Sequence, residues 1–100
     1  MSEQVAVAAE IRAGKREQLA RRLAEGPPFD LAEHGFTGHR AFLGERTVVL
    51  VFEGPGALEH VHDLRRMLPM AELARMGMLI RDPQLLSDQF SWEATSAGSA

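Results

Sequence analysis

The stretch TGHRAFLGERTVVLVFEG, residues 37–54, reads as a β-hairpin whose second arm, residues 48–52, offers no polar face. A strand turns alternate side chains to opposite sides, so an arm of Val, Val, Leu, Val and Phe asks for cover above and below. One hundred residues with a few short helices cover one face; the other is expected to meet a second copy of the same sheet, making the protein a homodimer. With the turn near residues 44–46 and an even-numbered loop, His39, Ala41, Leu43, Val48, Leu50 and Phe52 share one face. Gly38, Arg40, Phe42, Val49, Val51 and Glu53 then take the other, and an odd-numbered loop would exchange the faces of one strand. The first, more apolar set is expected beneath the helices. The second, joined by Ala6 and Ala8, is too apolar for a solvated sheet. Each Val or Phe buried there contributes roughly 1.5–3 kcal/mol, a large amount beside a domain stability of about 5–15 kcal/mol.

Outward from the hairpin, residues 4–12 alternate Val5, Val7, Ala9 and Ile11 against Ala6, Ala8, Glu10 and Arg12, the period of a first strand. Leu19, Ala20 and Leu23 among charged neighbours mark an amphipathic helix, which Gly26, Pro27 and Pro28 stop. Phe29, Leu31, Ala32 and Phe36 form a short apolar segment of one or two helical turns, closed by Gly35. Gly54, Pro55 and Gly56 launch another helix with Leu58, Val61, Leu64 and Leu68 on one face. Pro69 interrupts it, residues 71–79 continue as helix, Asp82-Pro83 marks a turn, and residues 87–93 are expected to form the last strand, with Phe90 and Trp92 on one side. The order β, α, β, β, α, β predicts an α+β fold: a ferredoxin-like βαββαβ unit with an antiparallel four-stranded sheet. Residues 1–93 make a single domain and residues 94–100, small and polar, a flexible C-terminal tail.

Composition removes several classes of function. Apolar residues make up 45% of the chain and charged residues 25%, the balance of a folded globular domain. The net charge is −3 with no basic stripe, which argues against nucleic acid as a partner. Absence of cysteine excludes disulfides, thiolate metal sites and a cysteine nucleophile. No apolar run reaches membrane-spanning length, and the start lacks the basic and apolar segments of a secretion signal, so a cytoplasmic protein without membrane association is expected. Gly54-Pro55-Gly56 is too short for a dinucleotide or phosphate-binding loop, and no cofactor is indicated. His60, His62 and Asp63 invite a metal reading, but positions two apart on a helix diverge and no third ligand is spaced to join them; a solvated helix flank is the better account, with no metal.

His39 is the strongest candidate for acid–base chemistry, because imidazole titrates near neutrality and a strand holds it rigidly. The plainer alternative is a histidine at a sheet end bonded to backbone. Arg40, Glu53 and Glu10 are the candidate supporting charges. Arg40 with Glu53 equally suits a buried pair that fixes dimer register, and Glu10 would gain proton affinity if enclosed by apolar groups. His34, in a loop, is a weaker candidate. Phe29, Phe36, Met67, Met76 and Trp92 are the candidate ligand-binding residues, with Met70 and Met78 in the same methionine-rich region; thioethers adapt to a flat apolar ligand, although core packing uses them as well.

These features together resemble the dimeric α+β barrel superfamily. The resemblance spans residues 5–93 and rests on the element order, on GHRAFLGERTVVLVFEG followed by the Gly-Pro-Gly helix start, and on Pro83 and Trp92. It implies ferredoxin-like subunits whose sheets close into one barrel across a two-fold axis, with a small-molecule pocket between each sheet and its helices. Relatives of this kind include cofactor-independent monooxygenases of antibiotic biosynthesis, polyketide cyclases, haem-degrading oxygenases and stress-responsive barrel proteins. Haem-degrading members carry an asparagine early in the first strand, and this chain contains none. Aromatic-oxidising members use Trp and polar groups around the pocket, whereas here Tyr is absent and Trp occurs once. The expected function is binding of a hydrophobic or aromatic molecule, with monooxygenase- or cyclase-like acid–base catalysis. The alternative is a non-catalytic ligand-binding or interaction dimer.

Overall fold

A computed structural model of the chain describes residues 3–27, 30–90, 92 and 94. Its elements run β1 (Glu3–Ile11), α1 (Arg16–Ala24), a 3₁₀ turn (Ala32–His34), β2 (Gly38–Leu43), β3 (Thr47–Gly54), α2 (Ala57–Met67), α3 (Met70–Leu79) and β4 (Ile80–Leu86). The four strands form one antiparallel sheet in the order β2-β3-β1-β4. This is the ferredoxin-like arrangement, with the second crossover divided into α2 and α3. The division falls at Pro69, which lacks the N–H for a continuous helix and holds Leu68 in an extended conformation, ψ 133°.

The hairpin register pairs His39 with Phe52, Ala41 with Leu50 and Leu43 with Val48. Its tip is the two residues Glu45 and Arg46, closed by the Gly44 N–H donating to the Thr47 carbonyl at 2.8 Å. An even count therefore holds, and β1 adds Val5, Val7 and Ala9 to the His39 face through Phe52, Leu50 and Val48. On that face lie two packed clusters. Val5, Phe36, Ala57 and Leu64 form one, joined by Phe52, Leu58 and Val61. Ala9, Leu19, Val48 and Leu79 form the other, joined by Leu23, Leu43 and Leu50. The opposite face carries Ala6, Ala8, Val49 and Val51, all half-buried, and Phe42, 58% exposed; no strand residue of this face belongs to either cluster. No described helix is long and apolar enough to cross a membrane.

Two expectations for the C-terminal region are corrected. Asp82 and Pro83 make no turn between elements but lie inside β4, where the register with β1 slips between Ala8 and Glu10 and Asp82 takes a φ of +51°. An outer strand accepts a proline because its outward-facing N–H has no ladder partner, and the bulge absorbs the extra residue. The last strand is accordingly Ile80–Leu86 and not residues 87–93. Phe90 and Trp92 are 95% and 85% exposed, outside the sheet, while Ser91 and Glu93 lie outside the described residues.

Gly54 ends β3 where the chain after the 3₁₀ turn crosses it. Its φ is +155°, and a Cβ placed there would stand 2.7 Å from the Gly35 carbonyl oxygen and 3.2 Å from the Phe36 Cα. Both neighbours are backbone and cannot swing away. Gly54→Ala is therefore expected to lower stability by roughly 1–3 kcal/mol, read as a lower urea midpoint at an unchanged slope. An unchanged midpoint would show that the crossing segment gives way freely.

Candidate functional site

Between the sheet and the helices lies a concavity of about 350 Å³. Its floor is the helix-side face of the hairpin, His39, Ala41, Leu50 and Phe52, which the period-two alternation presents together. Its walls come from Leu23 of α1, from Leu31, and from Leu64, Leu68 and Met76 of the α2–α3 crossover. Such a volume, mostly apolar with a few polar groups, is the form of a small-molecule site.

The polar groups are His39, Arg22, Arg40 and Glu72. The His39 ring stacks on Phe52 with centroids 4.6 Å apart and planes at 28°. Its Nδ1 lies 3.0 Å from the Val51 carbonyl oxygen. A carbonyl only accepts, so Nδ1 carries the proton, and in the neutral ring Nε2 holds the lone pair. Thus the backbone-bonded histidine and the candidate base are the same arrangement: one nitrogen anchors the ring and the other is left to act.

Arg22 and Glu72 join α1 to α3 across the cavity wall, with Nη2 3.7 Å from Oε2, and only 16% and 19% of the two side chains are exposed. Arg22 Nη1 also donates to the Gly26 carbonyl at 2.9 Å, while Glu72 Oε1 lies 3.3 Å from Arg75 Nη1. The Arg22 Nε–H is buried and has no acceptor among the described residues. A buried donor left unpaired costs roughly 1–3 kcal/mol.

The candidate residues from the sequence are distributed over both faces. His39, Arg40 and Met76 line the cavity. Arg40 and Glu53 border a smaller depression of about 180 Å³ together with Thr37, Gly38, His39 and Val51, so the structure brings these three candidates to one hollow. Arg40 and Glu53 form no ion pair there: Glu53 Oε2 accepts from Gln4 Nε2 at 2.7 Å. Glu10 is on the face turned from the helices, half exposed, and bonded to Arg81 Nε at 2.8 Å, so it stands in solvent and not in an apolar enclosure. Phe36 is buried in the core against Phe52, with centroids 5.3 Å apart, because the 3₁₀ turn drives it under β3. Met67 and Trp92 are 62% and 85% exposed and touch no part of the cavity. Phe29 lies outside the described residues. His60 sets its edge against Phe36 at 5.9 Å, and among the described residues no three metal-ligating side chains are gathered.

Arg22 and Glu72 went unmarked in the sequence because both stand among the charges of amphipathic helices. A signal was present: Glu72 and Met76 are four residues apart on one helix, which sets a carboxylate in line with an apolar side chain.

No protein-family model matches the chain, and no curated protein matches it. Among solved structures it is similar to protein SO0527 from Shewanella oneidensis, with 18% identity, a TM-score of 0.53, and coverage of 85% of this chain and 94% of that one. At that identity the likeness concerns the fold, a small α+β unit with a four-stranded antiparallel sheet.

Proposed function

We propose that this chain is a homodimeric small-molecule-binding protein of the dimeric α+β barrel kind, taking a hydrophobic or aromatic ligand into the cavity floored by His39. The observation that carries this reading is the cavity itself: apolar side chains from sheet and helices surround a rigidly held imidazole and a buried, unpaired Arg22 Nε–H. The ligand that fits has a flat apolar body, to stack beside Phe52 and Met76, and an oxygen acceptor to satisfy Arg22. His39 Nε2 is the atom able to take a proton from such a molecule, which is the step that cofactor-free oxygenase- or cyclase-like chemistry asks of a base. The homodimer rests on the uncovered apolar face of Val49, Val51, Ala6 and Ala8.

A purely binding role is favoured by one further observation. The Glu53 carboxylate is engaged by Gln4 and that of Glu10 by Arg81, while His39 is bonded to a backbone carbonyl, so neither carboxylate is hydrogen-bonded to the imidazole.

The test uses 8-anilino-1-naphthalenesulfonate, an aromatic body with an acid group. Its fluorescence is expected to rise and saturate at one molecule per chain. Ala41→Trp, which places an indole in the cavity from the floor of an edge strand, should weaken that binding at least about tenfold, or 1.4 kcal/mol, with an unchanged circular dichroism spectrum. Equal binding by parent and variant would place the probe on another surface and overturn the site.

A further inference from the structure

At the other end of the strands, the end of β1, the hairpin tip and the start of β4 are drawn together. The Ile11 N–H donates to the Arg46 carbonyl at 2.8 Å, and the Arg12 N–H to the Leu79 carbonyl at 2.9 Å. They surround a second concavity of about 720 Å³, whose lining includes Arg12, Arg16, Arg46 and Arg81 against two carboxylates, Glu10 and Glu45. The lining is thus net positive by two, on a chain whose net charge is −3. More than a third of the chain's 11 basic residues border this one hollow.

Two of the guanidinium groups are also oriented. Arg12 Nε donates to the Gly77 carbonyl at 2.6 Å, and Arg16 Nε to the Gly44 carbonyl at 2.8 Å. Each is anchored through its inner nitrogen, so its two outer nitrogens, with four N–H donors, find no acceptor among the described residues. Arg46 has no side-chain partner there either. Arg81 is already engaged by Glu10 at 2.8 Å and lies 4.0 Å from Asp82, which leaves Arg12, Arg16 and Arg46 against the single uncommitted carboxylate of Glu45. A lone carboxylate would use one such fork. Three planar forks around one hollow match a group with several oxygens and more than one negative charge.

We infer that this hollow is a second ligand site, distinct from the His39 cavity, which takes a small molecule bearing a diphosphate or oligophosphate group through Arg12, Arg16 and Arg46. The two anchored forks, Arg12 and Arg16, lose little freedom on binding, Arg46 is ordered by the ligand, and the surrounding carboxylates set the limit on affinity. Because the site is open to water, binding weakens as salt is raised.

Inorganic diphosphate is the probe, titrated into the full chain at low salt by calorimetry and by amide chemical shifts. Saturable binding is expected, with shifts at Arg12, Gly14, Arg16, Glu45 and Arg46. Arg46→Gln, whose side chain supports nothing in the fold, should weaken binding about tenfold. Glu45→Gln removes the uncommitted carboxylate and should tighten it, by about two- to threefold. The opposite signs from adjacent residues separate this site from general attraction to the protein. Absence of saturation, or indifference to Arg46→Gln, would overturn the site; equal affinity for citrate would overturn its assignment to phosphate. The site shares no residue with the His39 cavity, so the two titrations succeed or fail independently.

Discussion

The double variant Val49→Asp with Val51→Asp is expected to sediment as a folded monomer, and the parent chain, on the proposed reading, as a dimer. Both residues are on the sheet face that no helix covers, half-buried within the subunit, and neither belongs to a core cluster. Carboxylates there remain hydrated in a free subunit and leave its packing alone. In a face-to-face dimer the two-fold axis brings four of them into one dry layer, and each unpaired buried charge costs several kcal/mol, roughly 3–5 where a partner is missing. A dimer of micromolar affinity is held by about 8 kcal/mol, which that cost exceeds. Sedimentation velocity with circular dichroism decides the matter: a variant that remains paired shows that association uses another surface, and a parent chain that is monomeric at high concentration removes the dimer altogether.

Leu19→Ala is expected to cost roughly 2.7–5 kcal/mol, the range for a large-to-small change in a closed core. Leu19 is fully buried, the point at which α1 enters the sheet, and its neighbours Ala9, Val48 and Leu79 come from three other elements. Those neighbours are small or held by regular structure, so the space collapses little. Against a total of about 5–15 kcal/mol the loss is visible as a much lower urea midpoint. A shift below about 1 kcal/mol, the scale of an ordinary surface change, would mean that α1 repacks.

The parts of the fold legible beforehand are those set by local periodicity. Alternation in the hairpin and in β1 assigns every residue to a face, and the two-residue tip at Glu45 and Arg46 keeps that parity. The helices follow from Leu19 and Leu23, and from Leu58, Val61 and Leu64, with Pro69 marking the break between the second pair. β4 was hidden because its strand character is imposed by its neighbour. Ile80 and Leu85 are paired to Ile11 and Val7 by β1, and the intervening Arg81, Asp82 and Pro83 have the composition of a turn. Phe90 and Trp92 drew the strand too far along, since aromatic residues suit a strand only where a partner strand is available. At the site, His39 and Met76 were legible from residue type. Arg22 and Glu72 were not, because the cavity wall exists only where α1 approaches α3, a contact between segments about 50 residues apart.

The irregular edge of β4 has a bearing on how the molecule keeps company. A sheet with two smooth borders invites neighbours to zip on strand by strand, and that process has no natural end. Here one border is kinked at Asp82, deprived of a donor at Pro83, and guarded by Arg81 and Asp82. Chains arriving at this border find no continuous ladder to extend, so side-on growth is left with the β2 border alone and ends in a finite complex.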